Sequence, residues 1–308
     1  MRIVISEFMD PAAVDRLRAR HTVLYDPQLV DDPQSLATEL ATADALVVRN
    51  RTQVRGPLLD AAPRLKAVGR LGVGLDNIDV DACARRGIRV VPATGANTRA
   101  VAEYVIAAIM LSLRRVYFST GQVSTGSWPR TELAQGLEVA GKTLGLIGFG
   151  SIGRLTAQLA RGLGMQVIAH DPCIAADDPT WHETGVACRE LDALLAESDV
   201  VSLHVPLLES TRNLIDAARL ARMKRGAILI NTARGEVLDE VALAAALRTG
   251  HLGGAVLDVF HEEPLPAANA FDGAPNLVLT PHIAGLTVES NARVSHLIAE
   301  RLEATLQG

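Results

Sequence analysis

The chain has 308 residues, a formal net charge of −5, 48% hydrophobic residues and a mean hydropathy of +0.20. That length exceeds one ordinary core and points to two domains. The acidic balance argues against nucleic acid as the main partner, and aromatics at 3% leave little for stacking on bases.

The start, MRIVISEFMD, reads as a strand from its second residue, with no signal peptide. Asp10 then caps a helix whose first position is Pro11. Further strands are expected at 45–48, 66–68 and 88–91, with helices between them, one opening at Asp79 and closing at Gly87. Strand–helix alternation over 1–92 describes a small parallel α/β domain. From Asn97 to about Thr120 the pattern is one long apolar helix. It carries Glu103, Arg114 and Arg115, so it is too interrupted to span a bilayer and suits a core or a subunit contact.

Residues 140–171, AGKTLGLIGFGSIGRLTAQLARGLGMQVIAHD, hold the most informative pattern. A buried strand runs into Gly148, Gly150 and Gly153, a helix follows and ends at Gly164, and a second strand closes on Asp171. Strand, G-x-G-x-x-G, helix, strand and acid together form the dinucleotide fingerprint in its required context. Gly148 permits the tight turn, Gly150 leaves no Cβ between backbone and pyrophosphate, and Gly153 lets the helix pack closely. The pyrophosphate would sit on free N–H groups at the helix N-terminus. Asp171 can accept from both ribose hydroxyls and repels a 2′-phosphate, which favours NAD over NADP.

After Asp171 the alternation continues, with strands at 200–203, 227–230, 254–258 and 277–279. These make six parallel strands, enough for a doubly wound sheet. Pro206 and Thr211 follow one strand end and would wall the adenine or ribose pocket. The last segment, 287–306, is amphipathic and lacks a strand partner there, so it is expected to return to residues 1–96. The histidines His170, His204 and His251 lack metal-ligand spacing, and no metal site is read. Three scattered cysteines (Cys83, Cys173, Cys188) fit a reducing cytoplasm better than a disulfide framework.

Three strand ends carry chemistry. The segment NTARG contains Arg234, DVFHEEP contains Glu263, and TPHIAG contains His282. Ligands of such sheets bind at the carboxyl edge. An arginine, a carboxylate and a histidine there suit hydride transfer at a 2-hydroxy or 2-keto acid. Arg234 offers a planar fork to the substrate carboxylate and carbonyl oxygen. His282 exchanges the hydroxyl proton, and Glu263 fixes its tautomer. Each alone has a plainer reading, as a surface cation, a satisfied histidine or a solvated turn residue; three consecutive strand ends favour the functional one.

With these motifs, and with GRLGVGLDNID (69–79) and GANTRAVAEYVIA (95–107), the chain resembles the NAD-dependent D-2-hydroxyacid dehydrogenase family. Within it, the likeness is to the D-3-phosphoglycerate and sulfolactate dehydrogenase branches, the latter through VISEFMD and RNRTQV. The motifs cover nearly the whole chain in the family's order. The resemblance implies Arg234, Glu263 and His282 as the catalytic set, with Ser151 and Ile152 at the pyrophosphate. It places Thr232, Ala233 and Asp258 on the nicotinamide side, with Asp258 at the carboxamide, and counts Gly285 among cofactor-binding residues. Val73 and Gly74 would offer backbone N–H groups to the substrate carboxylate, and Asn97 and Thr98 would face cofactor or substrate. The expected fold class is α/β with two parallel-sheet domains. A Rossmann dinucleotide-binding domain (97–286) is inserted in a discontinuous flavodoxin-like substrate domain (1–96 and 287–308).

Arg49, Arg51 and Arg70 form an unusually basic group near the expected substrate mouth. Either one or two of them, with Arg49 and Arg51 the candidates, grip a second anionic group on the substrate, such as phosphate, sulfonate or carboxylate, or they belong to a solvated cationic loop. Trp128 either packs within the chain or, as the family suggests, reaches a neighbouring subunit of a homodimer. The leading expectation is an NAD-dependent oxidoreductase in the cytoplasm acting on a small 2-hydroxy acid, without membrane or nucleic-acid partners. The alternative from another class is an NAD-sensing co-repressor-like binding protein on the same fold, and formate or phosphite oxidation is a third reading.

Overall fold

The structure, a computed structural model, describes residues 1–307. The chain folds into two compact units. One comprises Met1–Asn97 and the segment from Leu286 onward, the other Thr98–Gly285. No helix among the described residues is long and apolar enough to cross a membrane.

The first unit holds a five-stranded parallel sheet built from β1 (Arg2–Ile5), β2 (Thr22–Tyr25), β3 (Ala45–Val48), β4 (Ala67–Arg70) and β5 (Arg89–Pro92). Their order is β2-β1-β3-β4-β5. The sequence reading omitted β2. It is an edge strand with exposed to half-buried side chains, as is β5 at the other edge. The inner strands β1, β3 and β4 show a buried apolar run because both faces are covered. Ile3, Ile5, Ala45 and Val47 face the helices Pro11–Arg18 and Val288–Gln307, while Val4, Leu46 and Val48 face the other side. Gly69 lets the last helix approach β4, since a Cβ there would lie 2.8 Å from Ile298. Asp10 and Asp79 cap their helices as their sequence contexts predict, each accepting a backbone N–H at 2.8–3.0 Å.

The second unit holds β6 (Thr143–Ile147), β7 (Gln166–His170), β8 (Ala187–Cys188), β9 (Val200–Leu203), β10 (Ile228–Asn231), β11 (Gly254–Leu257) and β12 (Leu277–Leu279). The order β12-β11-β10-β9-β6-β7-β8 is all parallel. There are thus seven strands, not six; β8 is two residues long and too short to leave a periodic signal. Winding reverses between β6 and β9, and the glycine turn after β6 lies at that switch point. The long helix is shorter than its apolar pattern suggests. It spans Thr98–Arg114, because Arg115 takes a left-handed φ of 58° and breaks it.

Gly145, in mid β6, is set by packing. A Cβ there would meet Ser198 Oγ at 2.1 Å and Leu194 Cδ2 at 2.6 Å. Gly145→Ala is therefore expected to cost about 1–3 kcal/mol through overpacking, read as a lower urea midpoint with an unchanged slope.

Candidate active site

The glycine turn is set by contacts as well as by φ. Gly148 has φ 95°, and a Cβ would lie 2.5 Å from the His204 carbonyl oxygen. A Cβ on Gly153 would lie 2.4 Å from the Gly148 carbonyl oxygen, so this glycine lets the helix Ser151–Gly162 start directly on the turn. Around Gly150, in contrast, a Cβ would meet nothing within 4 Å. No side chain caps the helix that begins at Ser151 and continues through Ile152. Its first N–H groups remain available to an anion.

Asp171 reaches across from the end of β7. Its Oδ2 accepts the Phe149 N–H at 2.8 Å and its Oδ1 the Cys173 N–H at 2.9 Å. It therefore shapes the turn, and each oxygen keeps a lone pair for a ribose hydroxyl. The Thr211 hydroxyl is committed to its own loop, accepting from the Leu208 N–H at 2.8 Å and donating to the Pro206 carbonyl at 2.7 Å. Pro206 itself is exposed.

At the end of β10 the buried Asn231 ties the following turn. Its Oδ1 accepts the Ala233 N–H at 3.0 Å, and its Nδ2 donates to the Arg234 carbonyl at 2.8 Å. Thr232 Oγ1 is buried without a partner. Gly235 permits backbone-to-backbone approach, since a Cβ would fall 1.9 Å from Phe260 C. That approach brings the Arg234 turn against the loop after β11.

In that loop Glu263 Oε1 accepts the Phe260 N–H at 3.0 Å, and Oε2 pairs with His282 Nδ1 at 2.7 Å. Burial pushes the Glu263 carboxyl up. The His282 hydrogen bond and charge, the Phe260 N–H and the Arg234 charge outweigh it, and the net shift is downward. Glu263 thus stays ionised, holds a proton on Nδ1 and leaves Nε2 without a bond to it. The three residues expected from separate strand ends come together here.

His282 itself has φ 54°, a left-handed conformation that costs a residue with a Cβ about 1–2 kcal/mol. Buried Asp258 holds it there. The Asp258 carbonyl accepts the His282 N–H at 2.8 Å. Its Oδ1 accepts the Ile283 N–H at 2.8 Å and the Thr280 hydroxyl at 2.6 Å, and its Oδ2 accepts the Ala284 N–H at 2.7 Å. The sequence reading assigned Asp258 to the carboxamide; its carboxylate serves the histidine turn first, and Oδ2 keeps capacity for one more donor. Gly285 ends this turn and the unit.

In the first unit the winding reverses between β1 and β3, and Glu7 and Arg49 follow those two strands. Buried Glu7 accepts the N–H groups of Arg49 (2.8 Å) and Thr52 (3.0 Å) on Oε1 and of Arg51 (3.3 Å) on Oε2. Arg49 lies over the Phe8 ring at 5.3 Å and donates from Nη2 to Asn291 at 2.6 Å, while its Nε is buried without a partner. Desolvation lowers its pKa, against the raising effect of Glu7 and Tyr25. Arg51 is different: its exposed guanidinium pairs with Asp31. Arg70 is buried, donates from Nε to the Gly74 carbonyl at 2.9 Å and fills the space beside Gly72. It therefore braces the loop that carries Val73 and Gly74. Asn97 Oδ1 is buried and unpartnered.

Sequence reasoning missed Glu7, Asn231 and Gly235. Their signal was available: an acid at a strand's carboxyl end, and small or amide residues in the turns carrying the reactive groups.

The profile of the D-isomer specific 2-hydroxyacid dehydrogenase NAD binding domain matches residues 106–284. The chain is 54% identical over 304 residues to an (S)-sulfolactate dehydrogenase from Chromohalobacter salexigens, covering 99% of this chain and 98% of that one. The chain belongs to the D-isomer specific 2-hydroxyacid dehydrogenase family. It is an NAD-dependent oxidoreductase of that family. A D-3-phosphoglycerate dehydrogenase from Archaeoglobus fulgidus is 36% identical over all of this chain, which spans 58% of that protein. The fold matches D-lactate dehydrogenase from Aquifex aeolicus, solved with NAD and lactic acid, at a TM-score of 0.85 and 29% identity over 100% of this chain and 96% of that one.

The residues present fit the dinucleotide. Gly150 faces open space, the helix after it is uncapped, and the buried Thr232 hydroxyl lacks a partner.

His204, beside the turn, accepts from or donates to Ser202 Oγ at 3.0 Å, and desolvation lowers its pKa to about 4. The unfolded chain takes up this proton near pH 6.5 and the folded one only near 4, so stability falls as pH drops through that window. A shift from 6.5 to about 4 limits the fall to about 3 kcal/mol. His204→Gln should flatten the stability profile between pH 6.5 and 4, measured by urea unfolding; an unchanged slope would assign the acid sensitivity to other groups.

Proposed function

We propose that the enzyme oxidises a 2-hydroxy acid bearing a second anionic group, with sulfolactate favoured over 3-phosphoglycerate. The observation that carries the reaction is the Glu263–His282 pair, 2.7 Å apart beside Arg234. The observation that carries the substrate class is Arg49, a half-buried cation with a buried, unpartnered Nε. The 54% likeness to a sulfolactate dehydrogenase, over nearly the full length of both chains, supports the choice of acid.

Bound NAD supplies the hydride acceptor. The protein's residues do the rest. Arg234 presents its planar fork to the substrate carboxylate and the oxygen at C2, fixing which face of C2 is offered. His282 Nε2 takes the hydroxyl proton as the C2 hydrogen leaves as hydride, and the imidazolium formed is stabilised through Nδ1–H by Glu263. In the reverse direction the same nitrogen returns the proton to the ketone oxygen. In the first unit, the backbone N–H groups of Val73 and Gly74, and Asn97, are the groups that the family resemblance offers to a substrate carboxylate. Gly148, Gly150, Ser151, Ile152 and Gly153 would hold the pyrophosphate, Asp171 the ribose, and Thr232, Ala233 and Asp258 the nicotinamide end. The family's D label and the (S) prefix of sulfolactate agree. The CH2–sulfonate arm outranks carboxylate where the methyl of lactate does not, so one spatial arrangement changes its letter.

The second copy in a homodimer belongs to the same reading. Tyr117, Phe118 and Trp128 are 58%, 70% and 76% exposed, so Trp128 does not pack within its own chain. Apolar surface of that kind is covered by a partner in solution. Sedimentation should show a dimer that Phe118→Glu with Trp128→Glu dissociates; a wild-type monomer at micromolar concentration would remove this part.

The substrate is tested by NADH formation with sulfolactate, 3-phosphoglycerate, malate, lactate and glycerate. Arg49→Ala should lose about 10- to 100-fold in kcat/KM on the dianionic acid, the worth of a charge-assisted hydrogen bond, and much less on lactate. Arg51→Ala should change neither. Equal losses on both acids in Arg49→Ala would reject the second-anion role.

A further inference from the structure

Asp258 does not hold the histidine turn alone. Tyr104, on the helix Thr98–Arg114, brings its hydroxyl within 2.5 Å of Thr280 Oγ1. The Thr280 hydroxyl has a single proton, and at 2.6 Å from Asp258 Oδ1 that proton goes to the carboxylate. Thr280 therefore accepts from Tyr104. Burial raises the Tyr104 pKa despite the Thr280 hydrogen bond, which keeps the phenol protonated and a donor. The chain of donors runs Tyr104 O–H to Thr280 O–H to Asp258 Oδ1, and the same carboxylate takes the Ile283 and Ala284 N–H groups. The next residue towards the N-terminus is His282, whose own N–H goes to the Asp258 carbonyl.

We infer that Tyr104 and Thr280 are positioning residues for proton transfer. Through Asp258 they lock the left-handed His282 turn and so aim the imidazole at its substrate oxygen. The helix is well placed to act as the fixed end. Its neighbours Val105 and Ile109 are buried against Leu146, Ile230 and Val256 of β6, β10 and β11, so the phenol is anchored to the sheet from which the reactive loops emerge. A hydroxyl on a rigid helix restricts the threonine rotor to one direction. The threonine in turn fixes which way the Asp258 carboxylate is rotated, and that rotation decides whether both following amides can be met at once. Chains of such bonds polarise one another and rigidify a site when every member is satisfied. None of these groups touches the reacting atoms in this scheme. Tyr104 acts only through the geometry of His282, and the inference rests on His282 as the acid/base.

Tyr104→Phe deletes one oxygen and keeps the ring. Single-turnover NAD reduction with sulfolactate, or with the best acid of the substrate panel, should slow about 3- to 10-fold, as for one neutral hydrogen bond. The KM for NAD should change less than the single-turnover rate, because Asp258 is one of several residues on the cofactor whereas the aim of His282 depends on this turn. In the cofactor-free protein, amide hydrogen exchange at His282, Ile283 and Ala284 should accelerate at least as much, a readout independent of activity. Thr280→Val should reproduce both effects and Thr280→Ser should reverse them. The double variant Tyr104→Phe/Thr280→Val should be no slower than Thr280→Val alone. Unchanged exchange in Tyr104→Phe, additive losses in the double variant, or a loss confined to the KM for NAD would overturn the inference. His282→Asn separates the two levels. If it keeps full activity, the acid/base reading itself fails; if it is inactive while Tyr104→Phe matches wild type, only the positioning chain fails.

Discussion

One buried carboxylate organises the reactive end of the second unit. Asp258 lies at the end of β11 with a side chain that is almost wholly enclosed, and an enclosed charge is tolerated only when it is met by donors. Two backbone amides and a hydroxyl meet it, all from the turn after β12. The consequence is a turn held where a histidine would not otherwise stay, and a ring delivered to Glu263. The desolvation cost of the carboxylate is what makes the turn's geometry stiff, since releasing any donor would leave charge uncompensated in the interior.

Close backbone approach is the second constraint. Gly148 against the His204 carbonyl, Gly153 against the Gly148 carbonyl, and Gly235 against Phe260 and His261 each leave no room for a Cβ. The first two put a helix N-terminus directly behind the turn, where backbone N–H groups and the helix dipole favour an anion. The third carries Arg234 to the loop that bears Glu263, close enough for its charge to be felt there. Gly150 differs in kind: it has open space beside it, the condition for a ligand rather than for packing.

The first unit repeats the logic at smaller scale. Its sheet also reverses winding, between β1 and β3, and the residues after those strands carry its polar chemistry. Buried Glu7 takes three amides of the 49–52 loop and sets Arg49, whose buried Nε–H has no partner, whereas Arg51, two residues on, is paired with Asp31 at the surface. Neighbours in sequence thus have different fates, decided by which strand-end acid they meet.

The sequence by itself determined the class of fold and the dinucleotide turn, and it singled out Arg234, Glu263 and His282, the residues proposed to carry the reaction. These signals are local: glycine spacing, apolar runs in strands covered on both faces, and side chains at strand ends. The edge strands β2 and β8 were not read, β8 because two residues carry no period. The helix break at Arg115 was equally silent, being a φ choice inside an apolar stretch. Only the tertiary structure decided that Asp258 serves the histidine turn, that Thr211 serves its own loop, and that Tyr104, far away in sequence, reaches Thr280. Hydrogen-bond partners are fixed by where the sheet brings distant strand ends together, and residue types along a chain do not encode that distance.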